Sequence, residues 1–179
     1  MKTLVASAAC LVLFSLFLQG QTLNLSFYDG NGVNILDVEK SQGWILEDWN
    51  TYSNQISLEG LYVLESGLTL GGELGAHRLY YWERRSTYDG YYYWGTMWTY
   101  NLGFIIGYTK DNITLKTGID LRNYSDGSGI APGFLFAGDY AIHLADRFSL
   151  PVGIRADVIM AKALTVSPNL IIGLRYQVF

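Results

Sequence analysis

The sequence predicts an all-β fold, an eight-stranded antiparallel up-and-down transmembrane β-barrel, and three observations carry that prediction. Met1 and Lys2 make a short positive start, and the apolar run from Thr3 to Leu18 ends at Gln19 and Gly20. That is the layout of a secretory signal peptide over residues 1–20, leaving residues 21–179 as one barrel domain. From Ile56 onward apolar residues recur at every second position, the mark of strands with two unlike faces. The links between these segments alternate between tight turns and longer polar stretches, as in barrels whose short turns all lie on one side of a membrane.

Composition narrows the function classes. The chain has 179 residues, 16% charged and 15% aromatic, with a formal net charge of -4. Its largest basic cluster is the pair Arg84 and Arg85, so an electrostatic grip on nucleic acid is excluded. Cys10 is the single cysteine and falls inside the apolar run. The mature chain therefore has no thiol, and thiolate ligation and redox chemistry fall away.

The predicted strands are Thr22 to Tyr28, Tyr52 to Leu64, Thr69 to Trp82, Tyr93 to Tyr108, Ile113 to Tyr124, Gly133 to Leu144, Phe148 to Met160 and Asn169 to Phe179. The fourth is the cleanest, with Trp94, Thr96, Trp98, Tyr100, Leu102, Phe104, Ile106 and Tyr108 on one face. Tight turns fall at Ser66 to Leu68, Lys110-Asp111 and Ala145 to Arg147; longer links fall at 29–51, 83–92, 125–132 and 161–168. In the first link, Asp29-Gly30-Asn31-Gly32 resembles the start of a calcium loop, but Lys40 stands where a bidentate Glu belongs, so it is read as a turn. Val33 to Val38 and Trp44 to Trp49 are about six residues each, against the ~9–11 a tilted strand needs to cross hydrocarbon. They are read as a hairpin above the membrane, with a ten-stranded barrel as the alternative.

Polarity decides the solvent. A soluble barrel turns its charges outward, whereas a transmembrane barrel puts its apolar face against lipid. Here one face is apolar and the other carries Glu59, Glu73, His77, Lys116, Asp120, Arg122, Asp139, Arg155, Asp157, Arg175 and Gln177. Eight strands leave room only for side chains, so these residues are expected to pair into a plug, the alternative being a narrow water path. The turns predict Asn101 opposite Asp120, Thr99 opposite Arg122, Gly153 opposite Asp139, and Ser57 opposite His77. Arg78 falls in the outward phase, which requires it to snorkel or the phase to shift at a bulge. Aromatics gather at the strand ends, Tyr80, Trp82, Trp94 and Trp98 at the outer end and Tyr108, Tyr140 and Tyr176 toward the inner, as interface rings do.

The ending Gly173-Leu174-Arg175-Tyr176-Gln177-Val178-Phe179 resembles the terminal strand of the small outer-membrane barrels of the OmpA and OmpX type, with Val178 in the phase where that pattern keeps its last aromatic. The resemblance covers the mature chain and implies a bacterial outer-membrane location in a Gram-negative envelope. It further implies insertion by the barrel-assembly machinery, with Gly173, Tyr176 and Phe179 as the assembly signal.

No cofactor and no metal site is expected; His77 and His143 fall too far apart to share an ion. Ser57, His77 and Glu73 have the residue types of a nucleophile, a base and an orienting carboxylate. They point into the lumen, so an interior hydrogen bond is the expectation and catalysis on lipid, like that of the lipid A deacylases, the rival. The predicted function is thus a non-enzymatic outer-membrane scaffold whose loops make envelope or partner contacts. Its partners are membrane lipid, lipopolysaccharide phosphates at Arg84 and Arg85, and an extracellular ligand at the acidic, Trp-containing loop 29–51. A narrow porin-like channel would suit the same barrel, and a soluble lipocalin-like carrier would require its two faces to be exchanged.

Overall fold

The computed structural model describes residues 22–36, 51–84, 92–125, 129–160 and 164–179, with backbone alone for 34–36, 51, 79–84, 92–97 and 164. The expected signal peptide, Trp44 to Trp49 and Arg85 lie outside the described residues, as do the side chains of Tyr80, Trp82, Arg84 and Trp94. Eight antiparallel strands close into a barrel, each bonded to the next and β8 to β1. They are β1 (Thr22–Leu36), β2 (Thr51–Val63), β3 (Leu68–Arg84), β4 (Tyr92–Lys110), β5 (Ile113–Tyr124), β6 (Ile130–Ala145), β7 (Phe148–Met160) and β8 (Leu164–Gln177). Closure removes every edge, so the ladder satisfies the backbone polar groups without water.

Three strands run further than the sequence predicts by three or more residues at one end. β1 continues to Leu36, so Asp29–Gly32 is strand rather than turn, and Val33 to Leu36 belongs to the barrel wall rather than to a hairpin. The glycines there serve close approach of β8: a Cβ on Gly32 would come within 2.8 Å of the Asn169 Cα. β6 and β8 begin at Ile130 and Leu164, upstream of Pro132 and Pro168, which the sequence places at the ends of loops. Each proline removes one donor near the end of a long ladder, and the neighbouring bonds hold the strand.

Two registers are also corrected. The β4–β5 turn is Asp111-Asn112, with Asp111 at φ 53°, and it pairs Asn101 with Arg122 and Gly103 with Asp120. The β2–β3 turn, with Gly67 at φ 86°, pairs Ser57 with Gly75 and Gln55 with His77. Moving a turn by one residue shifts every pairing by two, which leaves each side chain on its face but changes its neighbour. Across the β6–β7 turn Gly153 does oppose Asp139. Alternation is cleanest in β5, which reads exposed, buried without a break over its 12 residues.

A single row of paired outward residues fixes the tilt. It runs Leu68, Tyr108, Leu115, Gly138, Ile154, Leu170, Asn31, Asn54 and returns to β3 at Arg78, ten residues above its start. Ten residues at ~3.3 Å against eight strands at ~4.8 Å give a tilt of roughly 40°, so one residue step raises the chain by about 2.5 Å. Arg78 is then about 25 Å above Leu68, the height of a barrel's apolar band.

Candidate functional site

The fold concentrates ionisable side chains in the lumen, and inward glycines make the room. A Cβ on Gly133 would press on the Asp120 carboxylate and stand 3.0 Å from Arg122 Nε, so this position must stay bare for that ion pair to fit. Four cations and five carboxylates occupy two clusters, each of these residues no more than 7% exposed.

Nearer the long loops, Arg155 lies between two acids. Its Nε and Nη2 donate to Asp157 at 2.9 and 2.7 Å, Nη2 also donates to Glu73 at 2.9 Å, and Nη1 donates to the other Glu73 oxygen. Asn101 donates to Glu73 at 2.6 Å. Gln55, its amide oxygen turned to the guanidinium, accepts from Arg155 and donates to Asp157 at 3.1 Å. Arg122 forks onto Asp120 at 3.0 and 2.7 Å and donates to Asp157. Asp157 is thus shared by two guanidiniums, the arrangement that makes a buried carboxylate tolerable.

Nearer the short turns, Lys116 donates to both Glu59 oxygens at 2.6 and 2.9 Å and lies 3.3 Å from Asp139. Its ammonium stands 4.4 Å from the centroid of the Tyr28 ring. Arg175 donates to Asp139 at 2.7 Å, to the Tyr28 hydroxyl at 2.8 Å and to Ser26 at 3.1 Å. Leu61, Ile105 and Leu135 form one apolar packing, and Tyr124, Ala131 and Ile159 another toward the long loops.

The catalytic candidates are not brought together. Ser57 faces Gly75 rather than His77, and its Oγ has no hydrogen-bond partner. His77 lies between Arg122 Nη1 at 3.3 Å from Nδ1 and Ser167 Oγ at 3.4 Å from Nε2. A guanidinium only donates, so Nδ1 accepts and Nε2 carries the ring proton toward Ser167. A histidine held this way cannot take a proton from that serine, and its second nitrogen meets a cation where a general base would meet an orienting carboxylate. His143 is exposed near the β6–β7 turn and contacts Asn112 at 3.0 Å. Among the described residues no group of three or more His, Cys, Asp or Glu is placed to hold a metal.

Sequence reasoning missed most neutral members of the network: Ser26, Tyr28, Ser53, Gln55, Ser167 and Asn169 are all buried. Their inward phase is visible in the sequence; their partners are not, because Arg155 reaches Glu73 from β7 to β3 and Lys116 reaches Glu59 from β5 to β2 across the lumen. Gln177 lies exposed at the short-turn rim instead of in the network. On the outer wall, Tyr108 and Tyr140 are exposed and the Arg78 guanidinium lies over the Trp98 ring, 5.6 Å from its centroid. The chain end is stitched to β1, Val178 N donating to Leu23 O at 2.8 Å, and Phe179 packs edge-on to Tyr62 at 6.4 Å.

Eight strands, short turns at one end and a wall of exposed Leu, Ile and Phe around a charged interior define the fold of a small outer-membrane β-barrel of the OmpA and OmpX type. No family model and no curated protein matches the chain. Among solved structures it is similar to Neisserial surface protein A, with a TM-score of 0.53 and 15% identity over 88% of this chain and 99% of that one. Weaker likenesses are a designed transmembrane barrel (TM-score 0.43, 14% identity, 88% and 95% covered) and Ail of Yersinia pestis (0.42, 11%, 87% and 97%).

Proposed function

We propose that this chain is a non-enzymatic integral protein of the bacterial outer membrane, delivered by the signal peptide over residues 1–20. Its barrel is a rigid scaffold, and its long loops make the contacts with partners. The observation that carries the reading is the reversed polarity: Leu102, Leu115, Ile154 and Leu170 are 60–71% exposed on the wall, while Arg122 and Asp157 are 0% exposed inside. Such a wall is stable only against hydrocarbon, since water would meet a continuous apolar surface far larger than a soluble monomer shows.

The interior network is a plug that fixes the strands, not a catalytic centre. The proton on His77 Nε2 and the lack of a base beside Ser57 support that assignment. Partner contacts fall to the residues 37–50 that remain of the first loop, rich in acidic and Trp residues, and to Arg84 and Arg85 against lipopolysaccharide phosphates. Gly173, Tyr176 and Phe179 present the assembly signal. Fractionation with the outer membrane and heat-modifiable migration on a gel are the expected outcomes; recovery as a soluble periplasmic monomer contradicts the proposal. An unchanged lipid A mass spectrum on expression is expected, and a shortened lipid A would replace this reading with an enzymatic one.

A further inference from the structure

The outward row that fixes the tilt changes character partway round. From Tyr108 to Leu170 it is apolar, and it borders a groove of about 1080 Å³ on the outside of β4–β8, floored by the small residues Thr117, Gly138 and Ala156. The groove reaches Asn31, where the row turns polar and continues through Asn54 to Arg78 and Trp98. Tyr52 and Asn54 both donate to Asn31, the latter at 3.2 Å, and Asn31 donates to Asp29 at 3.4 Å.

This polar patch is not simply the upper limit of the apolar band. At about 2.5 Å per residue step and about 3 Å per strand step along the row, Asp29 and Asn31 stand roughly 14 and 19 Å above Leu68. Ile130 on β6 and Met160 on β7 stand roughly 27–30 Å above it on the same scale and are 71% and 49% exposed. One side of the barrel therefore carries a carboxylate and amides at roughly 14–22 Å, where Ile119, Leu121, Phe134 and Phe136 keep the outer face of β5 and β6 apolar. Outward polar groups at such depth cost free energy unless something polar covers them.

We propose that this feature is a binding site for a phosphorylated glycolipid of the outer leaflet, of the lipid A class, an inference that rests on the outer-membrane reading above. The groove takes an acyl chain. Asn31, held from below by Asp29, and Asn54 and Tyr52 above it offer hydrogen bonds to saccharide hydroxyls, and Trp98 offers a ring face at the same edge. Arg78, held over that ring, meets the phosphate with a planar donor fork. Several neutral hydrogen-bonding groups spread beside one cation suit the broad, rigid face of a sugar phosphate better than the small, flexible headgroup of a glycerophospholipid.

The test uses the full mature barrel in bilayer nanodiscs, with bound lipid counted by native mass spectrometry after mild release. Three probes are compared: bisphosphorylated lipid A, the same lipid stripped of its phosphates, and phosphatidylglycerol. Lipid A is expected to be retained selectively, with retention falling about tenfold in Arg78→Gln and on removal of the phosphates, as loss of a charge-assisted contact predicts. Gly138→Leu, which fills the groove floor, should weaken retention of both lipid A forms. Heat-modifiable migration of each variant shows that it is folded. Equal retention of lipid A and phosphatidylglycerol, unchanged retention in folded Arg78→Gln and Gly138→Leu, or release as a pair of barrels in place of lipid would each overturn the site. A wild-type chain that does not enter the bilayer contradicts the outer-membrane reading itself.

Discussion

Arg155 is the residue on which the interior depends most, because it neutralises Glu73 and Asp157 together while all three are buried. Arg155→Ala leaves two buried carboxylates short of a partner and should lower stability by about 3–5 kcal/mol, read from urea unfolding of the vesicle-inserted barrel. Adding Glu73→Gln should recover part of that loss, since one of the orphaned charges is then gone; a strictly additive double variant would argue against the pairing. Ser57 is the opposite case. Its buried hydroxyl lacks a partner, so Ser57→Ala should change stability by less than about 1 kcal/mol, in either direction, in the same unfolding measurement.

At the scale of the element, the sequence shows the face of a residue better than its neighbour. Period-two patterning needs only the order of residues, so Asp120 and Arg122 fall inward whether the β4–β5 turn begins at Lys110 or at Asp111. Pairing needs the turn itself, and one residue of error there moves Asn101 from Arg122 to Asp120. Pro132 and Pro168 mislead in another way, suggesting loop ends where long ladders absorb a missing donor. The turn also makes a prediction. Asp111 holds φ 53°, so Asp111→Gly should be neutral, while Asp111→Val should cost about 1–3 kcal/mol in the unfolding assay, because a β-branched residue resists that conformation. On the wall, Leu102 is 63% exposed near the middle of β4, and Leu102→Arg should cost about 2–4 kcal/mol in lipid.

For the whole molecule, the barrel is legible in the sequence because three coarse signals agree: an apolar N-terminal run with the layout of a leader, alternation and turn asymmetry. The ion-pair map is not, because Lys116 with Glu59 and Arg175 with Asp139 join strands that are not adjacent, and the row's climb of ten residues per circuit decides which of them meet. The outward polar patch at Asn31 and Asn54 is hidden for a related cause, since reading residues 29–51 as loop removes half of it from the wall. A lumen filled by this network should show no stepwise conductance in planar bilayers, and steady single-channel steps would show that the plug yields.

The most direct measurement is photolabelling of the bilayer-inserted protein with a carbene reagent confined to hydrocarbon, mapped by mass spectrometry. Heavy labelling of Leu102, Leu115 and Ile154 with none on Lys116, Asp120 or Arg155 is predicted. Label on the ionised set, with the aliphatic set spared, would contradict a lipid-facing apolar wall and everything built on it.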